Sequence, residues 1–76
     1  MYDVEVITPG LPIVLKQVAT AERVRAVIEH ALAGWGIPIP TVVQVAHRAE
    51  FAELLAETGE YLHEAADARV TVKRSK

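Results

Sequence analysis

Residues 47–66 read HRAEFAELLAETGEYLHEAA, and the period of this stretch decides the fold. Phe51, Leu54, Leu55, Tyr61, Leu62 and Ala65 recur on one face of a helix, while Glu50, Glu53, Glu57, Glu60 and Glu64 share the opposite one. The phase holds through Gly59, although a glycine inside a helix costs about 1 kcal/mol relative to alanine. The stretch is therefore predicted as one long helix, or as two shorter helices bent at Thr58-Gly59, with the same apolar face turned inward.

Outward from this segment the period changes. Arg69–Lys73 alternates, with Val70 and Val72 on one side and Arg69, Thr71 and Lys73 on the other, which predicts a closing strand and a frayed tail at Arg74-Ser75-Lys76. Upstream, Thr41–Ala46 (TVVQVA) is apolar on both faces and predicts a third strand. The stretch before it, GWGIPIP from Gly34 to Pro40, ends a first helix over residues 21–33, which starts from an N-cap at Thr20 with Glu22 in its first turn. Gly34 is expected as the left-handed stop, with Trp35 packed back on the helix near Leu32. Two further strands, Tyr2–Thr8 and Ile13–Val18, flank a predicted type II turn at Thr8-Pro9-Gly10-Leu11.

The expected order is thus β-β-α-β-α-β in a single α+β domain over residues 1–76: a two-layer sandwich with a four-stranded sheet and two helices on one face. Outward charges suggest the strand order. Asp3 and Glu5 on strand one face Lys16 on strand two and Arg69 and Lys73 on the last strand, so strand one belongs between them. A hairpin whose first strand also neighbours the last is similar to the ubiquitin-like β-grasp, and the GIPIP turn after the helix resembles the corresponding turn of that fold; this is the alternative architecture. A ferredoxin-like sandwich with an added N-terminal strand accommodates the long second helix.

A chain of 76 residues buries only about 60% of the surface its unfolded form exposes, so one core is the expectation. It has no cysteine, and its hydrophobic fraction of 51% suggests that some apolar surface is closed by association. No apolar run reaches the roughly 20 residues a membrane span needs, and a cytoplasmic location is expected. The net charge of −2, with acids concentrated in residues 47–67 and bases in residues 68–76, gives no general affinity for nucleic acid.

Chemistry is sparse. Without cysteine, and with Ser75 the only serine, nucleophilic catalysis has no evident centre, so no catalytic residues are expected. His63-Glu64-Ala65-Ala66-Asp67 is similar to a helical zinc motif with aspartate in place of its second histidine, but the three histidines lie on separate elements, and neither metal nor cofactor is expected. The expected function is a small non-enzymatic protein–protein interaction module, a homo-oligomer or a subunit of a larger bacterial or phage assembly. The competing expectation is a small-molecule-binding regulatory domain of ferredoxin-like type. Expected partner-binding residues are Trp35; Ile7, Val14 and Val18 on the sheet face away from the helices; and Glu53 and Glu57 of the glutamate stripe, which lacks interleaved lysine.

Overall fold

The computed structural model describes residues 1–10 and 12–75, so the last residue of the predicted turn, Leu11, and the terminal Lys76 lie outside the described residues. The elements are β1 (Tyr2–Ile7), β2 (Ile13–Val18), α1 (Ala21–Gly34), α2 (Arg48–Thr58), β3 (Glu60–Glu64) and β4 (Arg69–Arg74), with short 3-10 turns at Thr41–Val43 and Val45–His47 between the helices. The strands form one antiparallel sheet in the order β2-β1-β4-β3. The class is the expected two-layer α+β sandwich, and β1 does lie between β2 and the last strand. The element order, however, is β-β-α-α-β-β.

Two segments account for the difference. Residues 60–64 belong to a strand, because Gly59 adopts φ 71° and ends α2, with its N–H donating to the Leu55 carbonyl at 2.9 Å. Thr58 Oγ1 accompanies this stop by donating to the carbonyls of Leu54 and Glu60. The chain then turns back at Ala66-Asp67, closed by Ala65 N–H on the Ala68 carbonyl at 2.8 Å, so β3 and β4 make a hairpin. Tyr61 and His63 face the helices, and Phe51 meets the Tyr61 ring edge-on at 5.3 Å.

Residues 41–46 are not a strand. Pro40 leads into a 3-10 turn in which Val43 N–H donates to the Pro40 carbonyl at 2.9 Å, and Gln44 N–H to Thr41. The segment lies over the core rather than in the sheet: Val43 is fully buried, and its carbonyl accepts from Arg25 Nη1 at 2.9 Å. With 3-10 turns in place of a strand between the GIPIP turn and α2, and with α2 ending at Thr58, neither the ubiquitin-like nor the ferredoxin-like connectivity describes this chain.

The left-handed stop of α1 falls two residues later than expected, at Gly36 and not at Gly34. Ile37 N–H donates to the Leu32 carbonyl and Gly36 N–H to the Ala33 carbonyl, each at 3.0 Å, with Gly36 at φ 67°. This is the paired-bond stop in which the left-handed residue follows the cap, and its accompanying apolar contact is supplied by the buried Ile37 and Leu32. Gly34 is the last helical residue and Trp35 the C-cap. At the other end Thr20 Oγ1 accepts from Arg23 N–H, as expected.

The core lies between layers. Val4 and Val6 of β1 and Val70 and Val72 of β4 meet Val24, Ile28 and Leu32 of α1 and Phe51 and Leu55 of α2, all fully buried or nearly so. Each such side chain contributes about 1.5–3 kcal/mol of transfer free energy. Arg25, only 4% exposed, is held there by Glu22, by Glu29 and by the Val43 carbonyl, and the Glu22 contact keeps the guanidinium firmly charged. Helix α1 packs on β1 and β2, and α2 on β3, so each helix stands over one end of the sheet. Among the described residues no helix is long and apolar enough to cross a membrane.

Candidate functional site

The outer sheet face, opposite the helices, is ordered in rows. Across the strands run Val14, Glu5, Thr71 and Leu62 in one row, and Asp3, Lys73 and Glu60 in the next, with Lys16 Nζ 4.0 Å from Asp3 at the β2 end. A third row carries Ile7, Arg69 and Glu64, the last two paired at 3.2 Å. Ile7 and Val14 are on this face as expected, both exposed, with Val14 at 51%.

Val18 is not on it. Val4 pairs with Leu15 but Tyr2 pairs with Val18, so β2 holds one extra residue in between. This bulge, with Gln17 at φ 56°, reverses the alternation and turns Val18 to the helix side, against the core. Asp3 stabilises the bulge: its carboxylate accepts from Gln17 N–H at 3.0 Å and from Ser75 Oγ at 2.8 Å, and these two bonds, the backbone one first, hold its pKa below the usual 3.8. The tail is thereby tied down through Ser75, whose N–H also donates to the Met1 carbonyl.

Trp35 is 53% exposed and lies against Gly10 in the connection between β1 and β2. A Cβ at position 10 would overlap the indole carbons Cζ2 and Cη2. Gly10 is not in the left-handed region, so the space for the indole, and not a turn angle, is what requires glycine there. The tryptophan thus bridges the end of α1 to the hairpin.

The glutamate stripe is divided by the break at Gly59. Glu50, Glu53 and Glu57 are exposed on α2, whereas Glu60 and Glu64 are exposed on β3. His63 and Asp67, which a continuous helix would have aligned, are on a strand and in a turn, and among the described residues no group of three or more metal-binding side chains comes together.

Two concavities flank the sheet's unpaired edges. Between β2 and α1 lies a groove of about 740 Å³, with an apolar floor including Ile13, Leu15, Val18 and Val27 and a rim including Lys16, Arg23 and His30; no carboxylate lines it. Beside β3, under α2, lies a smaller one of about 410 Å³, lined by Leu54, Tyr61 and Leu62 among others, with Leu62 64% exposed. Sequence reasoning missed the first groove. Its signal was the pair of apolar residues at 13 and 15 on one side of β2 with a second apolar flank on α1 at Ala26, Val27 and Ala31. Chemically, these edges offer apolar surface, free backbone groups and charges of opposite sign. No protein-family model matches this chain, and no match was found among curated proteins or solved structures.

Proposed function

We propose that this chain is a small non-enzymatic module for protein association, working in the cytoplasm as a homo-oligomer or as a subunit of a larger bacterial or phage assembly. The observation that carries this is the pairing of the apolar β2–α1 groove with an unpaired strand edge, where Leu15 and Val14 are both exposed. Apolar surface next to free backbone donors and acceptors suits recognition of another polypeptide, since strand addition supplies main-chain bonds and the groove supplies side-chain pockets. The outer face, with Asp3, Glu5, Glu60 and Glu64 among its residues, does not favour a nucleic-acid backbone.

A second function, binding of a small regulatory molecule, draws support from the groove's volume of about 740 Å³, within the roughly 300–1,000 Å³ common for ligand sites. Cross-linking with mass spectrometry on the tagged chain in its native host separates the two. Cross-links from Leu15 or Lys16 neighbours to a stoichiometric protein, or between copies, support association. Their absence, together with a thermal shift produced by a metabolite, rejects it in favour of the small molecule.

A further inference from the structure

We propose that the two unlike edges of the sheet bind each other between copies, β3 of one chain adding to β2 of the next, so that the molecule assembles head to tail. The proposal builds on protein association as the function and names the partner: a second copy of this chain.

The row structure carries it. Lys16, Asp3, Lys73 and Glu60 alternate in sign across the outer face, and the row ends in a cation at the β2 edge and an anion at the β3 edge. The adjacent row begins with Val14 and ends with Leu62, both exposed aliphatic side chains with no strand beyond them. Continuing each row straight into a second copy places Glu60 opposite Lys16 and Leu62 opposite Val14. On the helix side the same step sets Tyr61 beside Leu15. Such cross-strand pairs are the units that stabilise a sheet. Direction also fits, because all neighbouring strands are antiparallel and β2 and β3 of like-oriented copies run antiparallel too.

The helix layer is complementary in the same step. Helix α2 stands at the β3 end and α1 at the β2 end, so joined copies bring them side by side. Leu54, which borders the β3 concavity, is flanked at i−4 and i+3 by Glu50 and Glu57; Val27, in the β2 groove, is flanked at i−4 and i+3 by Arg23 and His30. Glu22 and Glu29 are already engaged by Arg25, and no ion pair of Arg23 is formed among the described residues. Acidic flanks on one side therefore meet a basic rim on the other, over apolar centres.

Like-with-like pairing is disfavoured. Two β3 edges centred on Leu62 would put Glu60 opposite Glu64, and two β2 edges would bring the basic rims together. The contact is thus heterologous, and successive copies extend the assembly.

Sedimentation velocity on three chains tests this: wild type, Lys16→Glu and Glu60→Lys, each first shown to be folded by circular dichroism. Wild type is expected to form a concentration-dependent series. Each single charge reversal is expected to weaken association about tenfold. An equal mixture of the two variants is expected to restore it, because the reversed β2 edge of one variant then meets the reversed β3 edge of the other with opposite charges again in register. Wild type that stays monomeric at every concentration overturns the proposal, as does self-association that neither reversal changes or that mixing does not rescue. If the chain is monomeric but cross-links in its host to a different protein, the proposal fails while association as its function survives.

Discussion

The end of α1 provides a sharp test of how this chain is read, because two glycines two residues apart have opposite predicted responses to the same substitution. Gly34 is the last helical residue, and Gly36 holds φ 67° in the paired-bond stop. A Cβ at either position would meet nothing within 4 Å, so crowding does not enter. For Gly34→Ala, the gain in helix propensity is about 0.5 kcal/mol, at the lower end of the usual range because the site is terminal. For Gly36→Ala, the left-handed conformation costs about 1–2 kcal/mol, offset in part by about 0.4–1 kcal/mol from the stiffer unfolded chain. The net loss is about 1 kcal/mol, and the two variants differ by about 1.5 kcal/mol. At about 4–8 °C per kcal/mol for a domain of this size, their melting temperatures should lie roughly 6–12 °C apart, with Gly34→Ala above wild type and Gly36→Ala below it. Thermal melts followed by circular dichroism read this directly. If Gly34→Ala lowers the midpoint while Gly36→Ala leaves it unchanged, the helix stops at Gly34 and the bonds assigned to Ile37 and Gly36 N–H are not what ends it.

Three further outcomes follow from named contacts. Gly10→Ala displaces the Trp35 indole and is expected to shift its fluorescence to the red and to increase iodide quenching, with about 1–3 kcal/mol lost to overpacking; an unchanged spectrum would contradict the contact. Arg25→Met keeps much of the buried stem but leaves the Val43 carbonyl without its Arg25 donor, and urea unfolding should show a loss of about 2 kcal/mol, whereas a change under about 0.5 kcal/mol means solvent satisfies that carbonyl. The lowered pKa of Asp3 means that its stabilising effect is fully present above the unfolded value, close to 3.8, and is lost as pH falls through the lower folded value. Protection of the Gln17 amide, taken relative to its intrinsic exchange rate, should therefore fall on acidification below about 3.8 in wild type, and should lose that step in Asp3→Ala.

What was legible in the sequence was local or repeated. β1, β2, α1 and β4 each carry a clean period or cap signal, and the alternating charges of Asp3, Lys16 and Lys73 are enough to order three strands. Residues 41–46 misled because β-branched side chains suit a half-buried pleated surface, yet the place beside β4 is taken by β3, and 3-10 turns bury Val43 fully and Val42 in part while leaving Val45 exposed. Residues 60–64 misled for the opposite reason. Glu60, Leu62 and Glu64 favour a helix, and Tyr61 faces inward under either period, so the left-handed Gly59 is what separates the two. The consequence for the site was direct: a helical Leu62 belongs to the core, whereas on β3 it is exposed at the end of a row. Lys16 and Glu60 are 44 residues apart, and their common row exists only once the β-pairing is known.

The same features that shield each edge also choose its partner. An unpaired edge invites indiscriminate pairing, and proteins limit this with prolines, bulges, short strands and charges. On β2, Pro12 lacks an N–H just before the strand and the Gln17 bulge interrupts it, leaving a regular segment from Ile13 to Lys16. On β3, Glu60 and Glu64 bracket a strand of only 5 residues. Neither edge is long enough to recruit an arbitrary strand through backbone bonds alone, so selection falls to the side chains, where a lysine and a valine await a glutamate and a leucine at the same spacing. The groove behind β2 is held open in advance, since Thr20 starts α1 two residues after the strand ends and Trp35 ties the other end of α1 to the hairpin at Gly10. Fixing both walls before binding lowers the ordering cost of association. Trp35 thus serves the contact indirectly, as the clamp that sets the width of the groove, and Gly10→Ala in the sedimentation experiment should weaken self-association even though position 10 lies outside the paired rows.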